Sequence, residues 1–111
     1  MPKKKDITKE NLKAVIKALE DKKGKDITVI DLTKKSILCD YFVLVTATSK
    51  THSQSLEENL KFLLKEKKMY TKSVQGAREA SWIVMDYGDI IIHIFTEDRR
   101  DFYKLEKLWE K

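Results

Sequence analysis

The stretch Trp82-Ile-Val-Met-Asp86-Tyr87-Gly88-Asp89-Ile-Ile-Ile-His93-Ile-Phe95 decides the fold. Two runs of β-branched and apolar residues flank Tyr87-Gly88, and glycine supplies the positive φ that a tight hairpin turn requires. With the turn centred on those two residues, Asp86 faces Asp89, Val84 faces Ile91 and Trp82 faces His93. Met85 then faces Ile90, and Ile83 faces Ile92. Side chains alternate between the faces of a strand. One face of the hairpin therefore carries Ile83, Met85, Ile90, Ile92 and Ile94, with no polar atom except the Met sulfur, and is a core face. The other carries Trp82, Val84, Asp86, Asp89, Ile91, His93 and Phe95. Either a helix of the same chain covers this second face, or it is wholly or partly a docking surface. Aromatics ringed by polar groups have the composition of a binding hot spot.

Working outward, residues 41–47 (Tyr-Phe-Val-Leu-Val-Thr-Ala) form a continuous β-branched and aromatic run, as expected of a central strand covered on both faces. Residues 26–32 read as another strand and 71–75 as a short one. Leu12, Val15, Ile16 and Leu19 fall at i, i+3, i+4 and i+7, which predicts a helix over 8–23. Thr8 is placed to cap it, and Gly24 stands where a helix C-terminal glycine belongs. Leu56, Leu60, Leu63 and Leu64 predict a second helix from about Thr51 to Lys67. Phe102, Leu105, Leu108 and Trp109 predict a third over 100–110. The order α-β-β-α-β-β-β-α describes one α/β domain, with helices packed on a mixed sheet of about five strands. The domain spans residues 1–111, and residues 1–7 are expected to form a basic, flexible extension.

Composition narrows the function classes. The chain has 111 residues and a net charge of +5, which at first suggests a nucleic-acid binder. The excess is local: residues 1–25 carry nine lysines against four acids, while residues 26–111 are neutral. Residues 79–111 have a net charge of −3. No apolar run is long enough to span a bilayer, and no signal core follows the basic start. Cys39 is the single cysteine. It excludes a disulfide within the chain and is expected to be buried. The economical reading is a reduced, cytoplasmic protein.

Three chemical alternatives stand beside docking. Thr48-Ser49-Lys50, between a strand and a helix, suits an anion-binding helix N-terminus, but without the glycines of a phosphate loop capping is the simpler reading. Asp86 and Asp89 could share a divalent metal, as in a small nucleotidyltransferase using Thr48 and Ser49 at the phosphates. A lysine-coated first helix could bind RNA phosphate. Neither histidine, His52 or His93, has a metal or catalytic motif around it.

The hairpin, together with Arg99-Arg-Asp-Phe102-Tyr103-Lys-Leu105-Glu106-Lys-Leu108-Trp109, resembles the ribosomal silencing factor (Iojap-like) family. Asp40-Tyr41-Phe42-Val43 and Thr48-Ser49 fit the same pattern. The resemblance covers residues 8–110. Ala47, Gln75-Gly76 and Lys50-Thr51-His52-Ser53 depart from the family's usual residues. The resemblance implies a nucleotidyltransferase-like topology without catalysis and no cofactor. It also implies docking on protein fourteen of the large ribosomal subunit, a block to subunit joining that represses translation, and a homodimer. Some relatives serve large-subunit assembly. On this reading Trp82, Val84, Asp86, Tyr87, Asp89, Ile91 and His93 bind the ribosomal protein, and the lysine-rich first helix adds a peripheral contact to ribosomal RNA.

Overall fold

The computed structural model describes residues 4–34 and 39–98. The elements run α1 (Lys4–Asp21), β1 (Lys25–Asp31), β2 (Tyr41–Ala47), α2 (Lys50–Glu66), β3 (Ser73–Gln75), β4 (Trp82–Asp86) and β5 (Ile90–Thr96). The helix predicted over 100–110 lies outside the described residues.

The strands form one five-stranded sheet in the order β1-β2-β5-β4-β3. β2 and β5 run parallel at its centre, and the other pairs are antiparallel. A parallel pair needs a crossover connection, which α2 begins. β2 is buried at every residue but Phe42, as its unbroken apolar run requires.

Both helices pack on one face of the sheet. Val15, Ala18 and Leu19 of α1, with Leu56, Leu60 and Leu64 of α2, meet Tyr41, Val43, Val45 and Ala47 of β2. Ile83, Met85, Ile90, Ile92 and Ile94 complete this core, each at 1% exposure or less. That is the face predicted to be core. Fully burying such a side chain contributes about 1.5–3 kcal/mol, so this layer supplies most of the stabilisation.

Two local expectations change. α1 begins at Lys4, inside the segment read as an extension, so Thr8 is not its cap. Thr8 is instead buried within the helix, and its hydroxyl donates to Asp89 Oδ2 at 3.4 Å. The second change is at the helix C-terminus. The left-handed residue there is Lys23 (φ 61°), not Gly24. Gly24 N–H donates to Leu19 O (2.8 Å) and Lys23 N–H to Glu20 O (3.0 Å), the paired bonds of a Schellman ending. Glycine is required at 24 for space: a Cβ would lie 2.6 Å from Val45 Cγ2.

Candidate functional site

The β4–β5 hairpin does not turn where the sequence suggested. Trp82 pairs with Phe95, Val84 with His93, and Asp86 with Ile91. The turn centre is Gly88-Asp89, one residue later than Tyr87-Gly88. Two hydrogen bonds and the backbone conformation of Gly88 hold it there. Asp86 Oδ1 accepts from Gly88 N–H at 2.7 Å, Gly88 takes φ +88°, and Tyr87 N–H donates to Ile90 O at 3.0 Å. Moving the centre by one residue shifts each pairing by two, so the side chains keep their faces. The predicted core face survives, but the pairs Trp82–His93, Val84–Ile91 and Asp86–Asp89 do not.

On the sheet face opposite the helices lies an aromatic ladder. Trp82 stacks on Phe95, with centroids 5.2 Å apart and planes at 24°. His93 stacks on Phe95 at 6.0 Å and meets Phe42 edge-on at 4.9 Å. Trp82 Nε1–H donates to His93 Nδ1 at 3.1 Å. That bond makes Nδ1 an acceptor, so the neutral ring carries its proton on Nε2, which is buried without a hydrogen-bond partner. Burial pushes the His93 pKa down to about 4, so the ring is neutral at pH 7. Beside the ladder, Ile30, Leu32, Cys39, Leu44 and Phe95 form a small buried cluster, with Phe42, Trp82 and Ile91 packed half-buried against it. No described helix contributes to this cluster.

Five of the seven predicted contact residues share this face by register. Trp82, Val84, Asp86 and Ile91 are half-buried, and His93 is 7% exposed. The other two are drawn elsewhere. Tyr87 packs against the helix-side core, where its hydroxyl is buried without a partner. Burial, and then the Glu57 carboxylate, push its pKa up to about 12. The Asp89 side chain turns to Thr8 of α1. Its carbonyl accepts from Asp40 N–H (2.8 Å) and Tyr41 N–H (3.0 Å), which pins the tip to the start of β2.

The residues of the enzymatic alternative do not converge. Asp86 and Asp89 sit where β2 begins, whereas Thr48 and Ser49 follow its other end. The seven residues of β2, a rise of roughly 20 Å, separate them. Ser49 caps α2 by accepting His52 N–H, and His52 Nδ1 accepts Thr48 N–H at 3.0 Å while Nε2 meets Lys22 O at 2.8 Å. The segment is thus a capped helix start, as expected from the missing glycines. Among the described residues, no group of three His, Cys, Asp or Glu side chains is placed to hold a metal. Cys39 is buried, and burial followed by Asp40, Asp86 and Asp89 raises its pKa, the opposite of what a nucleophile needs. Sequence reasoning missed the His52 clamp and the Thr8–Asp89 contact. Both join residues 30 or more positions apart, which no local pattern records.

The model of the family described as "Ribosomal silencing factor during starvation" matches residues 5–111. The chain belongs to the ribosomal silencing factor family. It is 35% identical to the ribosomal silencing factor of Bacillus subtilis over 101 residues, covering 91% of this chain and 86% of that protein. A mouse protein named for mitochondrial assembly of the ribosomal large subunit is 30% identical, covering 91% of this chain and 46% of its own. Among solved structures, a Chromobacterium violaceum protein superposes with a TM-score of 0.88 at 33% identity, covering 91% of this chain and 84% of that one. A Bacillus halodurans structure superposes with a TM-score of 0.83 at 31% identity, covering 91% and 94%. The single α/β domain expected from the sequence is therefore the family's fold. Among the described residues, no helix is long and apolar enough to cross a membrane.

Proposed function

We propose that this chain is a ribosome-associated silencing factor that docks on protein fourteen of the large subunit and sterically blocks joining of the small subunit. The supporting observation is the half-buried strip Trp82, Val84, Asp86 and Ile91, which lies on the sheet face away from α1 and α2. Trp82 supplies the aromatic anchor and His93 positions it through the Nε1–Nδ1 bond. Asp86 meets basic groups of the ribosomal protein. Tyr87 and Asp89 act by holding the hairpin tip. The acidic last third of the chain complements a basic partner and speeds encounter.

The mechanism needs occupancy and no chemistry. The smallest extent of the molecule is 22 Å. Joined subunits contact one another at hydrogen-bonding distance, roughly 3 Å. A body this thick at one bridge holds them apart. The family's homodimer and the peripheral contact of the lysine-rich first helix with ribosomal RNA belong to the same reading. So does a cytoplasmic location.

Co-sedimentation with purified large subunits tests it. The parent chain should pellet with large subunits and prevent added small subunits from joining. Trp82→Ala should weaken binding by roughly 30-fold or more, as a hot-spot tryptophan does. Asp86→Lys should slow association. Full joining in the presence of saturating protein would refute the wedge. Unchanged binding of both variants would refute the placement of the contact. The name of the mouse relative supports a second reading, a role in assembling the large subunit. That reading predicts association with precursor particles rather than with mature subunits.

A further inference from the structure

Several clefts on this molecule carry lysines, and two of them, each lined by three, differ in their charge balance. The groove between α1 and α2 is lined by Lys13, Lys17 and Lys67, but also by Glu10, Asp21 and Glu66. Its charges cancel, so the lysine flank of α1 is a poor polyanion site. The second cleft, of about 490 Å³, lies where α1 ends, β1 begins and α2 starts. Lys22, Lys23 and Lys25 line it together with the hydroxyl residues Thr48, Thr51 and Ser55, and no acid is among its lining residues. All three lysines are exposed. Lys23 is fixed in the left-handed conformation by the helix ending, and Lys22 O is held by His52 Nε2 at 2.8 Å. The backbone that presents these cations is therefore ordered before any ligand arrives. Lys25 reaches Glu97 at 3.8 Å through two exposed side chains, an ion pair too weak to compete with a phosphate.

We infer that this cleft binds the phosphodiester backbone of RNA, so that the RNA contact proposed for the lysine-rich first helix is made at its C-terminal end rather than along the flank of α1. Three cations with hydroxyl donors between them suit successive backbone phosphates, and the charge sum over the cleft favours a polyanion. The position adds a geometric argument. The cleft lies past the end of β2, whereas the hairpin tip is bonded to Asp40 and Tyr41 at its start. The seven residues of β2 separate the two ends, about 20 Å or more. A protein seated at the hairpin end leaves the cleft free for RNA beside it. This inference extends the ribosomal reading and rests on it only for which RNA is bound.

The test uses the full chain and a fluorescein-labelled RNA hairpin with an A-form stem, with anisotropy read at 50 and 200 mM KCl. Each phosphate-engaged lysine steepens the salt dependence by about one unit of logarithmic slope. Lys22→Gln/Lys25→Gln should therefore make the slope shallower by about two units. Its loss of affinity between the two salt concentrations should be roughly tenfold smaller than the parent's. Lys22→Arg/Lys25→Arg should restore the slope, and Lys9→Gln/Lys13→Gln should leave it nearly unchanged. An equal effect of the Lys9/Lys13 pair would overturn the cleft in favour of diffuse charge. Full displacement of the RNA by 10 mM inorganic phosphate at constant ionic strength would overturn the polymer assignment. RNA that does not bind, or binds with a slope independent of Lys22 and Lys25, overturns the inference outright. Because no ribosomal protein is present, none of these results bears on the docking of the hairpin face, which Trp82→Ala tests separately.

Discussion

Lowering the pH should unfasten the aromatic ladder through one residue, His93. Its folded pKa is about 4 against an ordinary 6.5, because burial disfavours the imidazolium. The unfolded chain takes up a proton near pH 6.5, while the folded chain resists until about pH 4. Stability from this group is therefore fully present above pH 6.5 and is lost progressively as the pH falls toward 4. The full difference of about 2.5 units corresponds to roughly 3 kcal/mol at 1.36 kcal/mol per unit. By pH 5 the linkage relation gives a loss of about 2 kcal/mol. Against a total stability of about 5–15 kcal/mol this is a large fraction. Urea denaturation followed by tryptophan fluorescence at pH 7.5, 6.5, 5.5 and 5.0 measures it. Carboxylates also titrate near the lower end, so the comparison is with His93→Gln, whose amide oxygen can still accept the Trp82 Nε1–H bond. The parent should lose about 2 kcal/mol more than His93→Gln between pH 7.5 and 5.0. Curves for the two proteins that fall in parallel would show that His93 is not held neutral by burial, and the reasoning would fail.

Gly24→Ala places a Cβ 2.6 Å from Val45 Cγ2 in the middle of β2, and should cost about 1–3 kcal/mol of stability by thermal or urea unfolding. Tyr87→Phe removes a buried hydroxyl that has no partner, so it should leave stability unchanged or raise it by up to about 1 kcal/mol. Spectrophotometric titration of the parent should find one tyrosine ionising near 12, and that one absent from Tyr87→Phe.

The sequence exposed those features that depend on local repetition. The five strands and two helices were legible within a few residues because β-branched runs and i, i+3, i+4 stripes are short-range signals. The faces of the hairpin were legible too, since alternation survives an error of one residue in the turn centre. The register was not. Tyr87-Gly88 and Gly88-Asp89 are both acceptable turn centres by composition. The choice is made by the Asp86 carboxylate on Gly88 N–H and by the bonds from Asp40 and Tyr41 to Asp89 O. The last two reach from another strand. The packing of Tyr87 was not legible for the same reason. The sequence offered it as aromatic contact area at the turn, and as the next odd residue after Ile83 and Met85 it follows them to the helix-side core. At Lys23 and Gly24 the glycine signal pointed to the right helix ending and the wrong residue, because the constraint on Gly24 is the approach of Val45 rather than its own φ.

The division of the sheet into two faces also bears on how the proposed steric block would work. A steric blocker works only while it is bound, so conformational freedom at the proposed docking strip would subtract directly from its effect. The structure removes that freedom from both ends of the hairpin. At the tip, Asp89 is tied to β2 through its carbonyl and to α1 through Thr8. At the far end, Ser81 O accepts Thr96 N–H at 3.0 Å. A Cβ at Gly76 would run into Trp82 O, so the loop before β4 lies directly against the strand. Between these anchors Trp82 is held by stacking on Phe95 and by its bond to His93. The tryptophan is thus oriented in the free protein, and binding need not order it. The helix-side core can then carry the stability, while on the proposed reading residues of the opposite face would meet the partner with little entropic cost.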